Sequence, residues 1–132
     1  MDSVELIELA KEAREFSFAA ISNFKVGAAL LTKNGKVFLG CNIEDPSGIG
    51  VTNICAERCA MVKAISEGYR DFEKIAVVGG IDELIFCTPC GACRQYLNTF
   101  CSEIIVVCLD NNGNILELPL SKLLPYSFSE RF

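Results

Sequence analysis

The sequence contains no histidine. That absence removes Ser-His and Cys-His catalytic pairs and every metal site built on imidazole. A transition metal held by this chain must rest on thiolates, with carboxylates as help. Long apolar runs are missing too: no stretch approaches the roughly 20 consecutive apolar residues of a membrane span. Positive charge is scarce, with 12 Lys and Arg against 17 Asp and Glu and a net charge of -5. No dense basic patch is present, which argues against a surface for duplex or single-stranded nucleic acid. The expected partner is therefore a small molecule or another protein, with no nucleic acid polymer and no membrane. The opening residues Met1-Asp2-Ser3-Val4-Glu5 show no basic region followed by an apolar run, so a cytoplasmic location is expected.

Cysteine, by contrast, is abundant: eight, at positions 41, 55, 59, 87, 90, 93, 101 and 108. In a secreted chain these could form disulfides, whereas in the cytoplasm they serve as metal ligands, catalytic groups or buried apolar residues. About half of the 132 residues are apolar, enough for the core of a single domain over residues 1–132.

Apolar spacing predicts an amphipathic helix over 2–20, through Val4, Leu6, Ile7, Ala10, Ala13 and Phe16, with Asp2 or Ser3 as its cap. Two extended runs, 26–32 and 37–41, flank Lys33-Asn34-Gly35-Lys36 and predict a β-hairpin. Residues 42–53 are loop-like, a helix is expected over 55–67, and a second, shorter helix over 91–100. The stretch 74–80, with its continuous apolar run at 75–78, and the fully apolar run at 104–109 read as strands covered on both faces. A turn at 111–114, a short strand at 115–118 and one helical turn at 119–124 complete the chain. The order predicts a three-layer α/β/α fold around a mixed sheet of about five strands.

Two short runs carry the chemistry, Cys55-Ala56-Glu57 and Pro89-Cys90-Gly91-Ala92-Cys93. Cys90 and Cys93 stand one helical turn apart at a helix start, and Cys55 begins the other helix, where the local dipole favours thiolate. By itself a C-x-x-C is as readily a redox pair or two small packed residues. Glu57 by itself is an ordinary first-turn acid, but beside two cysteine motifs it is placed to take a proton from water at a metal. Three thiolates around a divalent ion leave a net negative charge, which a neighbouring guanidinium can offset. Arg58 is favoured for that task over Arg94, although both residues also suit solvated helix faces.

Cys-Ala-Glu-Arg at 55–58 and Pro-Cys-Gly-Ala-Cys-Arg-Gln at 89–95 resemble the signatures of the small homotetrameric zinc-dependent cytidine deaminases. Further matches are 22–30, Asn42-Ile43-Glu44 and 123–128. The resemblance implies Zn2+ on Cys55, Cys90 and Cys93, with Glu57 as the proton carrier during loss of ammonia from cytidine or deoxycytidine. It implies Asn42 and Glu44 on the ribose hydroxyls, Phe24 as an aromatic wall, the Ala56 backbone on the base, and Thr88-Pro89 at the ammonia exit. Phe128 matches an aromatic that reaches a neighbouring subunit's site, so a homotetramer with shared active sites is implied. The pattern departs at Ala20-Ile21-Ser22 and at Asp45-Pro46-Ser47-Gly48-Ile49-Gly50, which bears on sugar preference. A blasticidin S deaminase and a non-catalytic zinc-stabilised protein are the competing readings. Cys41, Cys59, Cys87, Cys101 and Cys108 are expected as buried small residues.

Overall fold

The computed structural model describes residues 1–129, so the last three positions of the expected 1–132 span lie outside it. The first helix, α1, covers Ser3–Arg14, and the Asp2 carboxylate caps it by accepting from the Glu5 N–H at 2.8 Å. It stops well short of the expected residue 20. Phe16 is 81% exposed rather than packed, and the Phe18 N–H leaves the helix to donate to the Asn42 carbonyl at 3.0 Å.

The hairpin forms as expected, with β1 at Lys25–Thr32 and β2 at Val37–Cys41. Its turn needs a left-handed residue, which Gly35 supplies at φ 94°. Strand β3 (Phe72–Gly80) runs antiparallel to β1, β4 (Ile105–Leu109) parallel to β3, and β5 (Ile115–Pro119) antiparallel to β4. The sheet order is β2-β1-β3-β4-β5. Between the strands lie α2 (Ala56–Ser66), α3 (Gly91–Cys101) and a short α4 (Leu120–Leu123).

The alternation along β3 explains the layering. Ile75 and Val77 face a core with Ala60, Met61 and Ala64 of α2 and Leu97 of α3. Ala76 and Val78 face the opposite core with Leu6, Ile7 and Ala10 of α1. Burying such side chains on both faces, at about 1.5–3 kcal/mol each for the larger ones, is why the run is apolar without alternation. Gly40 brings α2 onto the sheet: a Cβ there would lie 2.3 Å from the Ala56 carbonyl oxygen. That close approach sets the start of α2, and with it Cys55 and Glu57, at the end of the sheet where β3 finishes and α3 begins.

Candidate functional site

Cys55 and Cys90 are the N-cap residues of α2 and α3, and neither side chain caps its own helix. Both sulfurs are thereby left to meet each other, 3.7 Å apart. The buried Cys93 sulfur joins them, all three lying within 4.8 Å of one another. Sulfurs on one tetrahedral zinc at about 2.3 Å stand about 3.8 Å apart, so the donors present fit that ion. Their acidity points the same way. A hydrogen bond shared with Cys93, helped by Arg58 and Cys90, pulls the Cys55 thiol down to about 5 against the effect of burial. The same shared bond, together with burial, pushes Cys93 strongly up. Three sulfurs this close ionise together only around a cation.

A cavity of about 290 Å³ opens against these sulfurs, lined by Phe24, Asn42, Glu44, Ala56, Glu57 and Thr88 together with Cys55 and Cys90. Glu57 stands in the first turn of α2 and is 4% exposed. Burial pushes its carboxyl up to about 7, with the Cys55 charge adding to the rise and Arg58 opposing it. A roomier groove of about 420 Å³, around Lys33, Arg70 and Phe100, lies at the far end of the sheet and gathers none of the expected site residues.

The two arginines take different partners. Arg58 donates from Nη2 to the Cys55 sulfur at 3.6 Å. Its buried Nε has no partner among the described residues. All three guanidinium nitrogens of Arg94 donate to oxygens instead.

Asn42 and Glu44 reach the cavity already anchored. The Asn42 Oδ1 accepts from the Val26 N–H at 2.9 Å and from the Ser17 hydroxyl, while Nδ2 donates to the Phe24 carbonyl at 2.8 Å. Glu44 accepts from the Ile21 and Ser22 N–H groups at 2.9 Å each and from the Ser22 hydroxyl at 2.6 Å. The Ser22 hydroxyl first, then these backbone bonds, hold its carboxyl below the ordinary value. One Asn42 N–H and one Glu44 lone pair remain over, the complement of a single hydroxyl group. Ala56, wholly buried, is the first residue of α2, where backbone N–H groups have no partner within the helix.

Phe128 is not among the lining residues of this cavity. Its ring is 64% exposed, and its carbonyl accepts from Gln95 Nε2 at 2.9 Å and Asn98 Nδ2 at 3.2 Å.

Sequence reasoning missed Val26, Asn53, Ile54 and Cys87 as parts of the wall. Proximity to Cys90 was the one signal for Cys87, and of the five cysteines expected to be buried only Cys108 is fully so. Nothing local marks Val26 or Ile54, whereas Asn53 closes the loop-like 42–53 region that contains the departing stretch 45–50. Its Oδ1 accepts from the Asp45 N–H at 2.5 Å, and the Asp45 carboxylate in turn accepts from Ser47 and Thr52.

Comparison with known proteins agrees with this geometry. Residues 2–109 match the family described as the cytidine and deoxycytidylate deaminase zinc-binding region. A cytidine deaminase of Sporosarcina psychrophila is 46% identical over 98% of this chain and 93% of its own length. One from Halalkalibacterium halodurans is 48% identical over 98% of this chain and 96% of its own. The 1.6 Å crystal structure of cytidine deaminase from Burkholderia pseudomallei superposes with a TM-score of 0.87 at 44% identity, covering 97% of this chain and 100% of that one.

Proposed function

The chain belongs to the zinc-dependent cytidine deaminases, and from that premise we propose that Glu57 is the group that moves protons while cytidine or deoxycytidine loses its amine. The reaction is hydrolysis: water adds at C4 of cytosine, the C4–N bond breaks, and the products are the uracil nucleoside and ammonia. Pyrimidine salvage is the usual role of such an enzyme. Held by Cys55, Cys90 and Cys93, zinc supplies Lewis acidity that lowers the pKa of a water from about 16 towards about 7. Glu57 accepts a proton as water adds, returns it to N3 of the ring, and carries the second proton to the departing amine. The observation that carries this reading is a buried carboxyl lining the same cavity as two of the three clustered thiols.

The remaining contacts follow from what each group has to spare. Asn42 and Glu44 bind the sugar, since their free donor and free acceptor meet one ribose hydroxyl. Phe24 stacks along the base, and the unpaired N–H of Ala56 meets its polar edge. Arg58 offsets the negative charge of three thiolates. Thr88 and Pro89 border the path by which ammonia leaves.

We propose further that the enzyme is a homotetramer in which Phe128 enters a neighbour's cavity. Its exposed ring, outside the cavity of its own chain, supports this. Eight unpaired cysteines support work in the cytoplasm. No helix among the described residues is long and apolar enough to cross a membrane.

The test pairs metal analysis of the purified protein with the ultraviolet absorbance change on cytidine, deoxycytidine and blasticidin S, measured side by side. One zinc per chain and fastest turnover of the ordinary nucleosides are expected. Cytidine as the poorest of the three would overturn the choice of substrate.

A further inference from the structure

Cys90 is the ligand most in need of support. It is the exposed member of the thiol cluster, whereas Cys93 is buried within α3. It occupies the N-cap of α3 without capping it, so the turn entering that helix has no side-chain cap. Arg94, one turn inside α3, closes back over that turn. Its backbone N–H donates to the Cys90 carbonyl at 2.9 Å. Its guanidinium donates from Nε to the Pro89 carbonyl at 2.7 Å and from Nη2 to the Thr88 hydroxyl oxygen at 2.8 Å. The third nitrogen, Nη1, donates to the Leu123 carbonyl at 2.6 Å, at the end of α4.

One planar cation thus ties the two residues before Cys90 to the C-terminal segment. We propose that Arg94 is a positioning residue of the metal centre: by clamping Thr88, Pro89 and Leu123 it holds Cys90 beside Cys55 and slows the loss of zinc. The proposal rests on the reading that the three thiols hold zinc. Lysine cannot take over this role, because a single ammonium cannot meet three acceptors spread around a rigid fork. Removing the guanidinium also leaves two carbonyls and a hydroxyl without their donor.

Metal analysis of the unaltered protein comes first, and a chain that purifies without zinc and takes up none would sink the metal reading itself. The proposal is then tested by the rate at which zinc passes to a chromogenic chelator from the unaltered enzyme, Arg94→Lys and Arg94→Ala, with circular dichroism confirming that each variant is folded. Both variants are expected to release zinc roughly 10- to 100-fold faster. Millimolar methylguanidinium should slow release from Arg94→Ala, and methylammonium should not. Unaltered release rates would overturn the proposal. So would faster release that methylguanidinium leaves untouched, because Arg94 would then act only through the general stability of the chain. Should Arg94→Ala not fold, Arg94→Lys carries the test together with its thermal midpoint: faster release at an unaltered midpoint supports the proposal, whereas release at the unaltered rate, or faster release that goes with a lowered midpoint, overturns it.

Discussion

The Arg58 guanidinium rests on the sulfur of Cys55, with Nη2 3.6 Å from Sγ. The two side chains sit three positions apart at the start of α2, so the helix itself delivers the cation to the thiolate. Zinc with three thiolates carries a net negative charge, which weakens its ability to acidify water. Arg58→Gln is therefore expected to lower kcat by roughly 10- to 100-fold while zinc content stays near one per chain. Steady-state kinetics together with atomic absorption check this, and an unchanged kcat would remove Arg58 from the role.

Glu57→Gln separates chemistry from architecture. The amide keeps the shape of a side chain that is 4% exposed, so zinc and fold should both be retained. Turnover should fall by on the order of 10²- to 10⁴-fold, the usual contribution of a positioned acid-base group. Retained turnover in a zinc-loaded variant would favour a different proton carrier.

Some of this was legible in the residues alone, for physical reasons that differ by element. Asn34-Gly35 reports the hairpin because its turn demands a left-handed residue, and 75–78 reports a central strand because both its faces are buried. Cys55, Glu57, Cys90 and Cys93 were legible because helix starts tie their spacing to direction. The end of α1 was not. Phe16 continues a helical spacing, yet Phe18, two residues on, pairs with Asn42 and Ile43 across the chain, a long-range choice that no local window contains. The anchoring of Asn42 and Glu44 was hidden for the same reason, since their partners come from the segments at 17–26. Cys87 looked like packing because a small thiol beside a cavity and one inside a core have the same local sequence.

Glu44 shows how that hidden anchoring affects function. Its carboxylate, part of the cavity lining, gathers Ile21 and Ser22, in the segment that departs from the family pattern. Glu44→Gln weakens this anchor and the proposed sugar contact together, so KM for cytidine should rise by roughly tenfold or more with kcat less affected. The acid limb follows from the lowered pKa of the carboxyl. A depressed folded-state pKa supplies order that is complete above the ordinary carboxylate value and lost as pH falls through the depressed one. KM should therefore climb on acidification in the unaltered enzyme and less so in the variant; parallel pH profiles of KM would count against this account.

Gly79 tests the part of the cavity wall formed by Phe24, Val26 and Cys87. A Cβ built there would lie 2.8 Å from the Cys87 sulfur, 2.9 Å from Cε1 of Phe24 and 3.2 Å from Cγ2 of Val26. All three are side-chain atoms of residues that line the cavity, so the backbone can stay while the wall moves. Gly79→Ala is expected to cost about 1–3 kcal/mol of stability by overpacking. It should also lower kcat/KM by roughly 10- to 100-fold through misplacement of Phe24. Adding Cys87→Ala removes the closest of the three clashing atoms, so the double variant should recover part of both losses. Such non-additivity is what contacting residues show. Additive losses in kcat/KM and thermal midpoint would mean that Cys87 and Gly79 act separately, and that Phe24 is held in place by other contacts.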